Sequence, residues 1–111
     1  MNIINCTPHP IKICNPDTKE VLVTFKKGEV VPRLHQDEQY LGCIDYGRIG
    51  IAVTKTVFGE VQNLPEQQED TIYIVSRLVK QACPDRTDLL VPGGVIRDDE
   101  GRIIGCSGLS E

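Results

Sequence analysis

The stretch that decides the fold is TIYIVSRLVKQACPDRTDLLV, residues 71–91. Its first five residues, Thr71–Val75, are nearly all β-branched or aromatic, which predicts a strand buried on both faces. Ser76 is a suitable N-cap for the segment that follows. That segment has its apolar residues at helical spacing and stops before Pro84, which predicts a short helix. A second apolar run, Asp88–Val91, predicts another strand, so residues 71–91 read as a strand–helix–strand crossover.

The residues after this crossover predict a turn and then a hairpin. Pro92-Gly93-Gly94 has the composition of a tight turn. Val95–Arg97 and Arg102–Cys106 are apolar segments that flank the polar sequence Asp98-Asp99-Glu100-Gly101, and this arrangement is typical of a β-hairpin.

The N-terminal part predicts short strands at Met1–Asn5, Ile11–Cys14 and Glu20–Phe25, with the last two joined as a hairpin. Glu29–Leu34 predicts a further strand, although Pro32 lies inside it and cannot donate to a ladder.

The middle of the chain is harder to assign. Residues 35–47 give no regular pattern: residues 35–39 are polar, and Tyr40–Ile44 is compatible with either a strand or a buried loop. Ile49–Val53 and Thr56–Val61 predict two strands, with Gly59 as a turn or bulge. Residues 64–70 read as an exposed acidic linker.

With about eight short strands and one helix, the sequence predicts a single α+β domain over residues 1–111. Antiparallel sheet is expected to dominate, either as a small sheet or as a half-open barrel with the helix across one end.

Composition excludes several functional classes. The 111 residues carry a net charge of −4, which argues against general nucleic-acid binding because that requires a basic surface. No apolar run has the length of a membrane span or of a signal peptide core. The five cysteines are odd in number and widely spaced, which predicts free thiols in the cytoplasm and no metal site or cofactor.

Three segments are candidates for ligand contacts. Thr7-Pro8-His9-Pro10 is rigid, so Thr7 and His9 would meet a polar ligand at little entropic cost. Ser76 and Arg77 begin the predicted helix, where backbone N–H groups favour an anion. Arg86 and Arg97, on either side of Pro92-Gly93-Gly94, are suited to clamp a carboxylate or phosphate.

Each candidate also has a purely structural interpretation. His9 is suited to satisfy a nearby carbonyl at a strand break, Ser76 to serve only as a helix cap, and Arg97 to stabilise a hairpin. The Cys6–His9 pair is the minimum for thiol catalysis, but no catalytic signature surrounds it. The sequence therefore predicts a protein that is not an enzyme.

Several of these segments resemble a family of small phage and prophage proteins. The resemblance is carried by Thr7-Pro8-His9-Pro10-Ile11, by residues 72–79, by residues 85–93 and by residues 95–98 with 101–106. It covers the N-terminal tip and most of residues 71–109, but not residues 26–60. It implies a phage context, with no catalytic residues to carry over.

Small accessory phage proteins often act against host defence, and this analogy suggests the function. The leading hypothesis is a sponge that sequesters a small nucleotide-derived immune signal in the host cytoplasm. Arg77, Ser76 and either Arg86 or Arg97 would hold phosphate, while Thr7, His9 and Tyr73 would contact base or ribose. A homodimer or larger homo-oligomer is expected. The alternative is an inhibitor that binds a host defence protein directly, using the acidic stretches 66–70 and 98–100.

Overall fold

The computed structural model describes residues 1–111, which form eight strands and one helix. Strands make up 56% of the chain, which confirms the predicted α+β class with one short helix. The elements in chain order are β1 (Asn2–Asn5), β2 (Ile11–Cys14), β3 (Val21–Phe25), β4 (Arg33–Tyr46), β5 (Ile49–Gln62), β6 (Thr71–Ile74), α1 (Arg77–Ala82), β7 (Leu89–Arg97) and β8 (Ile103–Ser110).

The strands form a six-stranded sheet, with the order β1-β6-β7-β8-β2-β3, and a separate two-stranded ribbon, β4-β5. The large sheet is mixed, because β1–β6, β6–β7 and β2–β8 pair in parallel while β7–β8 and β2–β3 pair antiparallel. It does not close into a barrel. Of the two predicted arrangements, a small sheet or a half-open barrel, the structure has the open sheet, with β1 and β3 at its edges.

The crossover predicted over residues 71–91 is present as β6-α1-β7. Tyr73 and Ile74 are buried in β6, as expected for a strand covered on both faces. The Ser76 hydroxyl accepts a hydrogen bond from the Val79 N–H, which confirms the N-cap. Val79 is the one buried residue of the helix. No helix in this fold is long and apolar enough to cross a membrane.

The hydrophobic core lies where the crossover meets the end of β1. Its buried members are Cys6, Tyr73, Val75, Val79 and Leu89. Only 14 of the 111 residues are buried, so the apolar stabilisation of the fold rests on few side chains.

The side chain of Asn5, the last residue of β1, holds three parts of the chain together. Its Nδ2 donates to the carbonyl oxygens of His9 at 2.8 Å and Lys26 at 2.9 Å. Its Oδ1 accepts from the backbone N–H of Thr7 at 2.9 Å and from the Thr7 hydroxyl at 2.7 Å. Asn5 therefore joins β1, the Thr7–Pro10 segment and the end of β3 in one buried network.

The segment that follows β3 passes directly over this network at Gly28. The Gly28 N–H donates to the Thr7 carbonyl oxygen at 2.8 Å. A Cβ atom at this position would lie 2.5 Å from the Asn5 carbonyl oxygen, so only glycine allows the close approach.

The middle of the chain differs most from the sequence-based prediction. Residues 35–47, which gave no pattern, belong almost entirely to β4, and the two strands predicted between residues 49 and 61 are one continuous strand, β5. The predicted strand at Glu29–Leu34 is wrong, since only Arg33 and Leu34 are extended there. Gly59 lies at a register shift in the ribbon, which confirms the bulge interpretation.

Pro92-Gly93-Gly94 is not a turn, because β7 continues through it as far as Arg97. Strand β6 pairs with β7 only at Leu89 and Leu90, so Pro92 lies beyond the ladder that would need its missing N–H. Gly94 has φ of 70°, and a Cβ there would lie 2.0 Å from the Ser107 hydroxyl oxygen. The two glycines therefore allow β8 to pack closely. The hairpin predicted beyond them is formed by β7 and β8.

We expect Asn5→Ala to lower the free energy of unfolding by about 2–4 kcal/mol, because it leaves a buried N–H and several carbonyl groups without partners. Asn2→Ala is the matched control: Asn2 is exposed on the same strand, and its substitution should change stability by less than about 0.5 kcal/mol. Urea unfolding of the two variants measures the difference. Equal effects would show that the Asn5 network does not hold the fold.

Candidate functional site

Two clefts lie on either side of the segment Asn5–Thr7, and Cys6 contributes to both of them. The first, which we name the lysine cleft, has a volume of about 550 Å³ and is lined by Ile3, Ile4, Asn5, Cys6, Thr24, Phe25, Lys26, Lys27, Gly28, Glu29, Val30, Pro65, Gln68 and Tyr73. The second, the helix cleft, has a volume of about 470 Å³ and is lined by Cys6, Thr7, Pro8, Val31, Pro32, Arg33, Leu34, Gln36, Ser76, Leu78 and Val79. Both volumes are within the usual range for small-ligand sites.

The lysine cleft combines cationic groups with an apolar wall. Lys26 and Lys27 are adjacent and exposed, and neither forms an ion pair with an acidic side chain. Ile4 and Phe25 supply apolar surface in the same cleft. Glu29 is the one acidic residue of the lining, so the cationic groups outnumber the anionic one.

The helix cleft brings together two of the residues singled out in the sequence, Thr7 and Ser76, although they are far apart along the chain. Arg33, at the start of β4, adds a positive charge to the lining. Leu78 and Val79 supply apolar surface from the helix. Thr7 and Ser76 therefore line the same cleft, and their role as ligand contacts stays a prediction.

Thr7 and His9 are held differently from the prediction. The Thr7 hydroxyl lies 2.7 Å from Asn5 Oδ1 and 2.9 Å from the His9 carbonyl oxygen, so its single proton is shared inside the protein. Thr7 can therefore only accept a hydrogen bond from a ligand. His9 is exposed and lines neither cleft, and its carbonyl oxygen serves the Asn5 network.

Tyr73 is a core residue with its ring buried against Cys6 and Leu89. Its hydroxyl donates to the Glu66 carbonyl oxygen at 3.0 Å. Because Tyr73 is 2% exposed, it forms the base of the lysine cleft, and its ring has almost no accessible face for the predicted contact with a base or ribose.

Arg86 is fully engaged by the protein and does not line a cleft. Its Nε and one terminal nitrogen donate to the two carboxylate oxygens of Asp88, each at 2.8 Å, and that nitrogen also donates to the Pro65 carbonyl oxygen at 2.9 Å. The hydrogen bond from Arg86 is the main reason that the pKa of the buried Asp88 is lowered below its ordinary value. The pair is a structural brace.

Arg97 also departs from the predicted phosphate clamp. It donates to the Gly101 carbonyl oxygen at 2.8 Å, within the β7–β8 hairpin. This contact is the one expected if Arg97 stabilises the hairpin. Arg86 and Arg97 therefore serve separate local contacts and are not brought together at a common cleft.

Ser76 and Arg77 lie at the start of a helix of six residues. The Ser76 hydroxyl already caps the Val79 N–H, so one of the free N–H groups at the helix start is satisfied internally. Arg77 is exposed and has no ion-pair partner. Its guanidinium is therefore free for a ligand, but it does not line either cleft.

The residues missed by sequence reasoning are Lys26, Lys27 and Arg33. None of the three was singled out as a ligand contact, and Arg33 fell within the predicted strand Glu29–Leu34. An adjacent basic pair just before a glycine was the available signal, but its proximity to Ile4 and Phe25 depends on the tertiary fold.

The thiols of this region are not activated. Burial raises the pKa of the Cys6 thiol, and burial is also the main cause of the raised pKa of the Cys106 thiol. A nucleophilic cysteine needs the opposite shift. No group of three or more His, Cys, Asp or Glu side chains is placed to hold a metal ion.

The lowered pKa of Asp88 predicts a pH-dependent contribution to stability. The contribution is complete above the unfolded pKa of about 3.9 and is lost as the pH falls through the lower folded pKa. We expect Asp88→Asn to destabilise the protein by about 2–4 kcal/mol at pH 7. The difference from wild type should shrink below pH 4, as the wild-type carboxylate becomes protonated.

The control is Asp85→Asn, since Asp85 is exposed and has no ion-pair partner. Its unfolding free energy should follow that of the wild type at every pH. If the difference in unfolding free energy between Asp88→Asn and wild type stays constant from pH 7 to pH 3, the ion pair of Asp88 with Arg86 does not stabilise the fold through charge.

Comparison with known proteins identifies no relative of this chain. The resemblance of its segments to phage and prophage proteins stays a prediction. The chain matches no protein-family model, no curated protein and no solved structure.

Proposed function

We propose that this protein is a non-enzymatic binding protein that captures a small phosphate-bearing, nucleotide-like ligand in the lysine cleft. The observation that carries the proposal is the placement of two adjacent unpaired lysines beside an apolar wall, in a cleft of about 550 Å³. Capture would be stoichiometric, with no chemical change of the ligand.

The phosphate would be held by the ammonium groups of Lys26 and Lys27. An exposed lysine carries three donors and binds phosphate as a compact point charge. Glu29 opposes this charge, so the site favours a ligand whose phosphate lies toward the lysines and away from Glu29. The net charge of −4 is spread over the chain and is screened within about 8 Å at physiological salt.

The base or another flat apolar group would lie against Ile4 and Phe25. Both side chains are partly accessible at the cleft, and burying such surface favours binding by about 25 cal/mol per Å². A cleft with cations at one part and hydrocarbon at another suits a ligand that is itself divided into a charged and a flat apolar part.

The biological setting rests on the resemblance to phage and prophage proteins. In that setting the protein acts in the host cytoplasm as a sponge for a nucleotide-derived immune signal. The free cysteines are compatible with a reducing compartment.

The alternative function, direct inhibition of a host defence protein through acidic stretches, has weaker support. Asp70 is paired with the N-terminal ammonium group at 2.8 Å, and Asp98 accepts hydrogen bonds from the N–H groups of Glu100 and Arg102. These carboxylates therefore have roles inside the fold. Direct inhibition becomes an outcome of the experiment below.

We expect the double variant Lys26→Gln/Lys27→Gln to weaken the binding of a phosphate-bearing nucleotide by about 10- to 100-fold, which corresponds to about 1.4–2.7 kcal/mol. Binding is measured by isothermal titration with a panel of linear and cyclic mono- and dinucleotides. Inorganic phosphate is included to test whether the anion alone suffices.

Two controls locate the site. Lys55→Gln removes a lysine from the distant ribbon and should leave affinity unchanged. Arg33→Gln removes the cation of the helix cleft: loss of binding in this variant but not in the double lysine variant would move the site to that cleft. If no nucleotide binds and a defence protein is captured stoichiometrically, direct inhibition replaces the sponge.

A further inference from the structure

The chain exposes much more surface than a compact monomer of its size. Its solvent-accessible surface is 8171 Å², whereas a compact 12.3 kDa protein exposes about 6,100 Å². The Cα radius of gyration is 18.4 Å, compared with about 13 Å for a compact domain of about 100 residues. The surplus of about 2,000 Å² exceeds the roughly 800 Å² that each partner hides in a standard protein interface.

The ribbon β4-β5 accounts for this extended shape. Its two strands have 14 residues each and pair only with one another. Only Val61, toward the end of β5, is packed against the core cluster. A lone two-stranded ribbon is marginally stable in water unless another layer covers it.

One face of the ribbon is apolar and free of charge near its tip. The register pairs Ile44 with Ile51 and Tyr46 with Ile49, so these four side chains share a face. They are 58%, 47%, 71% and 61% exposed, respectively. Asp45 is on the opposite face. We name these four residues the apolar tip face.

We propose that a second copy of this chain covers the apolar tip face, with the two ribbons packed face to face across a twofold axis. In such an arrangement each patch meets an identical patch. A face without charge is complementary to itself, because no like charges oppose one another across the axis. A partner recognised by charge would require ionic groups that this face lacks.

The surplus surface leaves room for this occupant. The contact is centred on the apolar tip face, because farther from the tip the same face of the ribbon carries Lys55 and Asp37, the latter paired with Val57. The area hidden at the tip uses only part of the surplus surface. The inference does not depend on the ligand proposed above, since it rests on surface area and on a different element.

The test is analytical ultracentrifugation of the 111-residue protein and of two variants in the same strand, β5. The wild type is expected to sediment at twice the 12.3 kDa chain mass. Ile51→Glu places a carboxylate on the apolar tip face and should raise the dimer dissociation constant by about 100-fold or more. Thr54→Glu is the matched control: it adds the same charge to the opposite face and should leave the dimer intact.

A conservative variant, Ile51→Leu, and hydrogen exchange of the sheet distinguish loss of the interface from loss of the fold. Ile51→Leu should stay dimeric, and hydrogen exchange of β6 and β7 should be unchanged in Ile51→Glu if only the interface is lost. A monomeric wild type at micromolar concentrations, a dimeric Ile51→Glu, or equal dissociation of Thr54→Glu would overturn the proposal. Wild-type chains found only in complex with a different protein would overturn it as well.

Discussion

The side-chain amide of Asn5 is the contact on which both clefts depend. It lies where β1 ends and where the Thr7–Pro10 segment and the end of β3 converge. A side chain at this point must donate two hydrogen bonds and accept two, and among uncharged side chains an amide provides two N–H donors together with a carbonyl oxygen that accepts twice. Because the amide fixes the path of residues 5–7, it also fixes the wall that separates the lysine cleft from the helix cleft. The two clefts therefore follow from the hydrogen bonds that satisfy the backbone at a proline-rich strand break.

A second set of polar contacts fixes the linker between the ribbon and the core. Arg86 donates to the Pro65 carbonyl oxygen, and the Tyr73 hydroxyl donates to the next carbonyl along, that of Glu66. Pro65 is also part of the lysine cleft. Arg86 was expected to bind a ligand itself. It instead positions Pro65, and thereby part of the lysine cleft wall, through the Pro65 carbonyl oxygen. The two hydrogen bonds to the Asp88 carboxylate keep the Arg86 side chain in place.

The sequence predicted those elements whose signals lie within adjacent residues and missed those that depend on distant parts of the chain. The β6-α1-β7 crossover was predicted because its strand, N-cap and helix stop are all encoded within adjacent residues. Strand β4 was not, because its alternation is interrupted by a bulge after Tyr40 and by exposed polar residues. Its extended state depends on pairing with β5. Similarly, Ser76 could be identified as a cap from its neighbours, whereas the proximity of Lys26 to Ile4 arises only from the folded sheet.

The order of elements along the chain has a consequence for how the molecule is made. Asn2 pairs with Thr71, so β1 cannot find its sheet neighbour until most of the chain has been synthesised. The ribbon, in contrast, is closed by the turn at Gly47 and Arg48 and needs only its own residues. Since local pairings form faster than distant ones and synthesis proceeds from the N-terminus, the ribbon is complete while the core is still missing β6, α1 and β7. The nascent chain therefore displays the apolar tip face on the ribosome before the core has formed.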